Sequence, residues 1–132
     1  MNDKYIHKEG IVYLNQYHIV FCPKYRRKVL IGSIEKDLRQ IFYDIAKEKN
    51  VEIKALEIMP DHVHMFISFD PRQPLHELIR YFKGTSSRIL RNKYPELRSR
   101  IPSLWTRSYF CCTIGCVSKE TIQKYIENQK NV

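Results

Sequence analysis

Residues 51–69 read Val51-Glu52-Ile53-Lys54-Ala55-Leu56-Glu57-Ile58-Met59-Pro60-Asp61-His62-Val63-His64-Met65-Phe66-Ile67-Ser68-Phe69. Val51 to Met59 and Val63 to Phe69 are both β-rich, and Met59-Pro60-Asp61 between them brings two turn-forming residues. The stretch therefore predicts two strands joined as a hairpin. Side chains of a strand alternate between faces with a period of two. Val63, Met65, Ile67 and Phe69 then share one face, and His62 and His64 share the other.

Upstream of the hairpin, Ile34, Leu38, Ile41, Phe42 and Ile45 recur at helical spacing, which predicts a helix capped by Ser33 and running to about Asn50. Before it, Tyr13 to Phe21 is β-rich and ends at Pro23, so it reads as a first strand, and the basic run Lys24-Tyr25-Arg26-Arg27-Lys28 follows. Downstream, Pro74 opens a helix with Leu75, Leu78, Ile79, Phe82, Ile89 and Leu90 as its apolar face. Gly84 weakens its middle, and it should end before Pro95. Trp105 to Ile114 is again β-rich, Gly115 breaks the pattern, and Ser118 is placed to cap a last helix through about Lys130.

The predicted order is β-α-β-β-α-β-α. Its first six elements are the split βαβ arrangement of a ferredoxin-like (RRM-like) α+β domain, an antiparallel sheet with both helices on one face. The last helix is an addition, and the sheet's other face is left open to a ligand such as nucleic acid. Without an internal repeat, low-complexity tract or linker, residues 1–132 read as a single domain.

A chain of 132 residues can bury one core without disulfides or a structural metal. Its 43% hydrophobic and 28% charged residues exclude a disordered or fibrous chain. Lys and Arg total 23 against 14 Asp and Glu, a net charge of +9, which favours a polyanionic partner such as nucleic acid. Lys24, Arg26, Arg27 and Lys28, with Lys83, Arg88, Arg91 and Lys93, are candidate phosphate contacts, and Tyr25 is a candidate for stacking on a base. The N-terminal charges have no apolar run behind them, and no stretch of about 18 apolar residues occurs. Neither secretion nor a membrane span is expected, and the expected location is the cytoplasm of a bacterial or archaeal cell. Cys22, Cys111, Cys112 and Cys116 contain no C-x-x-C pair and are expected to be reduced, small core residues.

Two pairs of residues carry possible chemistry. His62 and His64, on one strand face, can hold one metal between them, although two strand histidines can equally face solvent. Tyr125 and Gln129 lie four apart, hence on one helix face, where a phenol and an amide oxygen can reach the same point. A helix tyrosine can as well be a packing residue. Asp61 can orient one imidazole or simply serve the turn after Pro60.

Taken together, His-apolar-His in a strand after Met-Pro-Asp and Tyr-x-x-x-Gln in the C-terminal helix resemble the single-tyrosine transposases of insertion sequences, the transposase A group of the HUH endonucleases. Further matches are Pro23-Lys24-Tyr25-Arg26, Phe82-Lys83-Gly84-Thr85-Ser86-Ser87, Trp105-x-x-x-Tyr109-Phe110 and Thr121-Ile122-x-x-Tyr125-Ile126-x-x-Gln129. The resemblance implies cleavage and rejoining of single-stranded DNA at element ends, with Tyr125 as nucleophile, a 5′-phosphotyrosine intermediate and a free 3′-hydroxyl. It implies Mg²⁺ or Mn²⁺ held by His62, His64 and Gln129, recognition of a DNA hairpin, and a homodimer whose active sites combine the histidines of one chain with the tyrosine of the other. A non-catalytic ferredoxin-like nucleic-acid-binding module is the rival reading. It would call for an aromatic motif on the inner strands, where this hairpin carries histidines. A domesticated repeat-associated HUH endonuclease and a relaxase or replication initiator of the same chemistry are further alternatives.

Overall fold

The structure is a computed structural model that describes residues 4–113 and 118–132. Two short strands, β1 (Ile6–Lys8) and β2 (Ile11–Tyr13), pair as a separate antiparallel hairpin. Between them Gly10 takes a φ of +79°, a left-handed conformation that glycine adopts without steric cost. The main sheet holds β3 (Gln16–Phe21), β4 (Glu52–Met59), β5 (His62–Ser68) and β6 (Phe110–Thr113) in the order β4-β5-β3-β6, and every pair is antiparallel. This is the ferredoxin-like order, with the predicted hairpin β4-β5 at one side.

The helices α1 (Gly32–Lys49) and α2 (Leu75–Lys93) bury Leu38, Ile41, Phe42 and Ile45 and Leu78, Ile79, Phe82 and Leu90 in one cluster with Ile19, Phe21, Val63, Met65 and Ile67 of the sheet. Edge-on ring contacts of Phe42 with Phe21 and with Phe82 fill its middle. A short helix, α3 (Glu96–Arg100), follows α2 and buries Leu97. The helix α4 (Lys119–Glu127) packs on the opposite face of the sheet, where Ile126 meets Val20 and Cys22.

Several expectations need correction. The predicted first strand, Tyr13 to Phe21, is divided: Tyr13 ends the small hairpin, and the sheet strand starts at Gln16. The Asn15 side chain donates to the Phe69 carbonyl at 3.0 Å, and the Asn15 carbonyl accepts from the Phe69 amide, so this connection is tied to the end of β5 and is not a continuous strand. Ser33 is not the cap of α1. Ile31 holds that position without a side-chain bond, and Gly32, with φ +58°, turns the chain into the helix before Ser33 is reached. Ser118 does cap α4, its hydroxyl accepting from the Thr121 amide at 3.2 Å.

Trp105 to Ile114 is not one strand over its described part. Trp105 makes an isolated bridge to Pro23, and the ladder begins only at Phe110. Between them the carbonyls of Thr106 and Ser108 accept from Lys83 Nζ, at 2.7 and 3.0 Å, which turns them away from any strand partner. Gly115 and Ile114 lie outside the described residues.

Candidate functional site

The pairing of the sheet determines what stands beside the histidines. Val63 and Met65 are buried against α1 and α2, so His62 and His64 face the other side, both half-buried. Val20 lies across from His64, and Phe110 lies across from Val20. The helix α4 is seated over this row: Ile126 covers Val20 and Cys22, and the Tyr125 ring lies 5.9 Å from that of Phe110. Strands lie about 4.8 Å apart, so roughly 10 Å separates the backbone of His64 from that of Phe110.

The last helix stops at Glu127, short of the predicted Lys130, so Gln129 lies in the turn just past α4, its amide bonded to the Ile126 carbonyl, and Tyr125 and Gln129 do not share a helix face; both nevertheless meet Ser108. Ser108 Oγ lies 2.8 Å from the Tyr125 hydroxyl and donates to Gln129 Oε1 at 2.9 Å. Gln129 is 8% exposed. Burial raises the pKa of Tyr125 above its ordinary value, and hydrogen bonds to Ser108 and Thr106 work against that rise.

Each histidine has a defined partner. His62 Nδ1 lies 2.9 Å from Asp61 Oδ1, and Asp61 Oδ2 pairs with Arg26 Nε at 3.3 Å. Arg26 also donates to the carbonyl of Ile126 at 3.4 Å, linking the basic segment to the tyrosine helix. Tyr25 and Arg26 both hold positive φ, +58° and +51°, a conformation that costs a non-glycine residue about 1–3 kcal/mol. The contacts of Arg26 and the bond from the Tyr25 amide to the Val132 carbonyl offset that strain. His64 Nε2 lies 3.1 Å from His18 Nδ1, and the His18 ring stacks on Phe66 with centroids 4.3 Å apart. Burial lowers the pKa of His64, with a smaller contribution from His18, and burial lowers that of His18 too. Both rings thus favour the neutral state, the state in which an imidazole can bind a metal. Among the described residues no three His, Cys, Asp or Glu side chains converge on one point.

The predicted basic residues divide between two regions. Lys24, Tyr25, Arg26, Arg27 and Lys28 lie on the segment that follows β3. Lys24 lines a pocket of about 530 Å³ with Arg107, Ser108, Asn128 and Gln129, while Tyr25 and Arg27 line another with Lys130 and Asn131. Arg88, Arg91 and Lys93 belong to α2, on the side of the sheet away from the histidines. Arg91 donates to the Leu97 and Ile101 carbonyls, and Lys93 pairs with Asp37 at 2.8 Å. Lys83 points inward to two carbonyls, and burial lowers its pKa to about 8. As for the cysteines, Cys22 is buried, but Cys111 is exposed and Cys112 half-buried, so the core expectation fails for these two. Both sit on the short edge strand β6, Cys111 across from Ile19 and Cys112 across from His18. Cys116 lies outside the described residues.

The family profile described as "Transposase IS200 like" matches residues 11–129. The chain belongs to this family. The transposase is 38% identical over 122 residues to the ISDra2 transposase TnpA of Deinococcus radiodurans, a match covering 91% of this chain and 87% of that one. It is 34% identical over 116 residues to the transposase for insertion sequence element IS200 of Salmonella typhimurium, covering 86% and 76%. A crystal structure of a Deinococcus radiodurans R1 transposase superposes with a TM-score of 0.89 at 33% identity, covering 96% of this chain and 99% of the other. A REP-associated tyrosine transposase bound to a REP hairpin shares the fold, with a TM-score of 0.58 at 13% identity and coverage of 93% and 70%. The family resemblance seen in the sequence and the expected fold both hold, and this IS200-like transposase is a DNA-cleaving, strand-transferring enzyme. Among its described residues no helix is long and apolar enough to cross a membrane.

Sequence reasoning did not single out His18 or Ser108 of the transposase. His18 shares the period-two face of Val20, but its position beside His64 depends on pairing between strands 46 residues apart. Ser108 shows no local pattern at all. Asp61, which the sequence left between an orienting and a turn role, is within hydrogen-bond distance of His62.

Proposed function

We propose that the transposase acts on single-stranded DNA, with Tyr125 attacking the scissile phosphate and with His62, His64 and Gln129 holding Mg²⁺ or Mn²⁺. The observation that carries this reading is the seating of α4, which brings the Tyr125 hydroxyl and the Gln129 amide oxygen to one serine on the histidine face of the sheet.

In this in-line displacement a bond forms from the Tyr125 oxygen to phosphorus as the phenol gives up its proton. The bond from phosphorus to the 3′ oxygen breaks, and that oxygen leaves as a hydroxyl. The 5′-phosphotyrosine keeps the energy of the phosphodiester, so a second 3′-hydroxyl can reverse the attack and rejoin DNA without ATP. The raised pKa of Tyr125 makes its phenolate scarce at neutral pH, so positive charge has to gather at the phosphate. Arg26, held between Asp61 and α4, and Lys24 are the nearby cationic side chains suited to that task.

The donor set fits the ion. Two neutral imidazoles and an amide oxygen suit Mn²⁺ and are tolerated by Mg²⁺. Asp61 beside His62 Nδ1 leaves Nε2 free to ligate, and ligation through His64 Nε2 would replace its hydrogen bond with His18. When bound, the ion would polarise the phosphate as a Lewis acid.

The hairpin named with the REP-associated relative supports hairpin recognition here as well, with the exposed residues Tyr25, Arg27 and Lys28 as its contacts. We extend the reading to a homodimer with shared sites. The helix α4 buries little besides Ile126, with Gln129 buried just beyond its end, so two chains could exchange this segment and form the same contacts again. The test of the reading is incubation with single-stranded element ends and Mn²⁺. A covalent protein-DNA adduct on a denaturing gel is expected for the parent and not for Tyr125→Phe, and an adduct that persists in that variant would overturn the nucleophile.

A further inference from the structure

Ser108 is exposed as a residue, yet every polar group it has within reach of α4 is engaged. Its backbone carbonyl accepts from Lys83 Nζ at 3.0 Å and from the Thr106 hydroxyl at 3.3 Å. Its hydroxyl meets Tyr125 at 2.8 Å and Gln129 Oε1 at 2.9 Å. A serine hydroxyl has one proton, and an amide oxygen can only accept. The proton of Ser108 is therefore directed to Gln129, and the Tyr125 hydroxyl donates to the Ser108 oxygen.

We infer that Ser108 is a positioning residue of the transposase, holding the nucleophile and the metal-binding amide together through one hydroxyl. An amide oxygen has two lone pairs, and Ser108 occupies one, leaving the other for an ion. Without the serine proton the terminal torsion of Gln129, which is broad and nearly two-fold, can turn the NH₂ group to the ion instead. The phenol loses its 2.8 Å partner at the same time and is left with Thr106. The clamp from Lys83 and Thr106 acts on the backbone, so it survives loss of the side-chain hydroxyl, and Ser108→Ala should fold. This gives a role to the half-buried Lys83, which binds two carbonyls of an irregular segment: it fixes the height of Ser108 under α4.

The inference rests on the proposed roles of Tyr125 and Gln129, and its test separates the two. Full-length parent, Ser108→Ala and Ser108→Thr would be compared for Mn²⁺ affinity, read from free Mn²⁺ by electron paramagnetic resonance. The rate of adduct formation would be measured across oligonucleotide concentrations. Loss of a partner that orients a metal ligand costs roughly 10–100-fold in affinity or activity. Ser108→Ala should bind Mn²⁺ more weakly and form adduct more slowly by factors in that range, with the KM for the oligonucleotide unchanged, and Ser108→Thr should recover both. If Ser108→Ala matches a parent that does form adduct, or Ser108→Thr is as impaired as Ser108→Ala, the role of Ser108 is overturned while that of Tyr125 stands. A parent that forms no adduct overturns both.

Discussion

Replacing Asp61 by alanine tests whether the histidine face is built to hold an ion. Asp61 Oδ1 lies 2.9 Å from His62 Nδ1, and its Oδ2 lies 3.3 Å from Arg26 Nε, with all three side chains only 20–24% exposed. Removing the carboxylate frees the His62 ring to rotate and to change tautomer, and loss of such a partner weakens metal binding by roughly 10–100-fold. That is about 1.4–2.7 kcal/mol of binding free energy. The effect on the fold should be smaller, because a partly exposed ion pair contributes at most about 1 kcal/mol. Mn²⁺ titration of Asp61→Ala beside the parent, with a urea melt of each, separates the two quantities. Asp61→Asn keeps an acceptor for His62 but loses the charge, and should fall between them. Parent-like Mn²⁺ affinity in Asp61→Ala would refute the orienting role of Asp61.

Three further outcomes follow from the same geometry. A His64→Ala chain and a Tyr125→Phe chain, each inactive alone, should regain about a quarter of parental sites when mixed and allowed to exchange, since about half the dimers are mixed and each has one intact site of two. No recovery from demonstrated mixed dimers would mean that each chain uses its own tyrosine. The pKa of Lys83 falls from 10.5 to about 8 on folding, so between those values the unfolded chain binds a proton that the folded chain does not. The urea stability of the parent relative to Lys83→Met should therefore rise as pH increases through that window, and a pH-independent difference would show that Lys83 is not held in this way. Oligonucleotide binding should weaken with salt, with a log-log slope of about −0.7 per phosphate neutralised, and Arg27→Ala or Lys28→Ala should reduce the slope where Arg88→Ala does not.

The hairpin, both long helices and the cap of the last helix could be read from the sequence because each depends on local chemistry: an alternation of apolar residues, a helical stripe, a serine before a helix. The features missed depend on contacts between distant residues. Nothing near Thr106 or Ser108 indicates that a lysine more than 20 residues earlier takes their carbonyls and delays β6 until Phe110. The division of the first strand follows from Asn15 bonding to Phe69, 54 residues away. Gly32 started α1 ahead of Ser33 because a positive φ was available just before a good capping residue. In the candidate site, His62 and His64 were legible as a same-face pair; Tyr125 and Gln129 were read as sharing a helix face, but the helix ends at Glu127 and Gln129 lies in the turn beyond it. That all four are brought onto one side of the sheet was not legible, since it depends on Ile126 settling over Val20 and Cys22. The basic residues show the reverse problem: composition counts Arg88, Arg91 and Lys93 with Lys24 and Arg26, and only the layering of α2 behind the sheet separates them.

The most direct measurement is to locate the covalent bond. Parent protein incubated with Mn²⁺ and a single-stranded element end, then digested with protease and nuclease, should give one modified peptide, with the nucleotide carried through its 5′ phosphate on Tyr125. EDTA should abolish the product while leaving the thermal melt of the protein nearly unchanged, because the ion acts on the phosphate and the core is closed without it. Modification of any other residue, or undiminished adduct in EDTA, would contradict a metal-assisted attack by Tyr125.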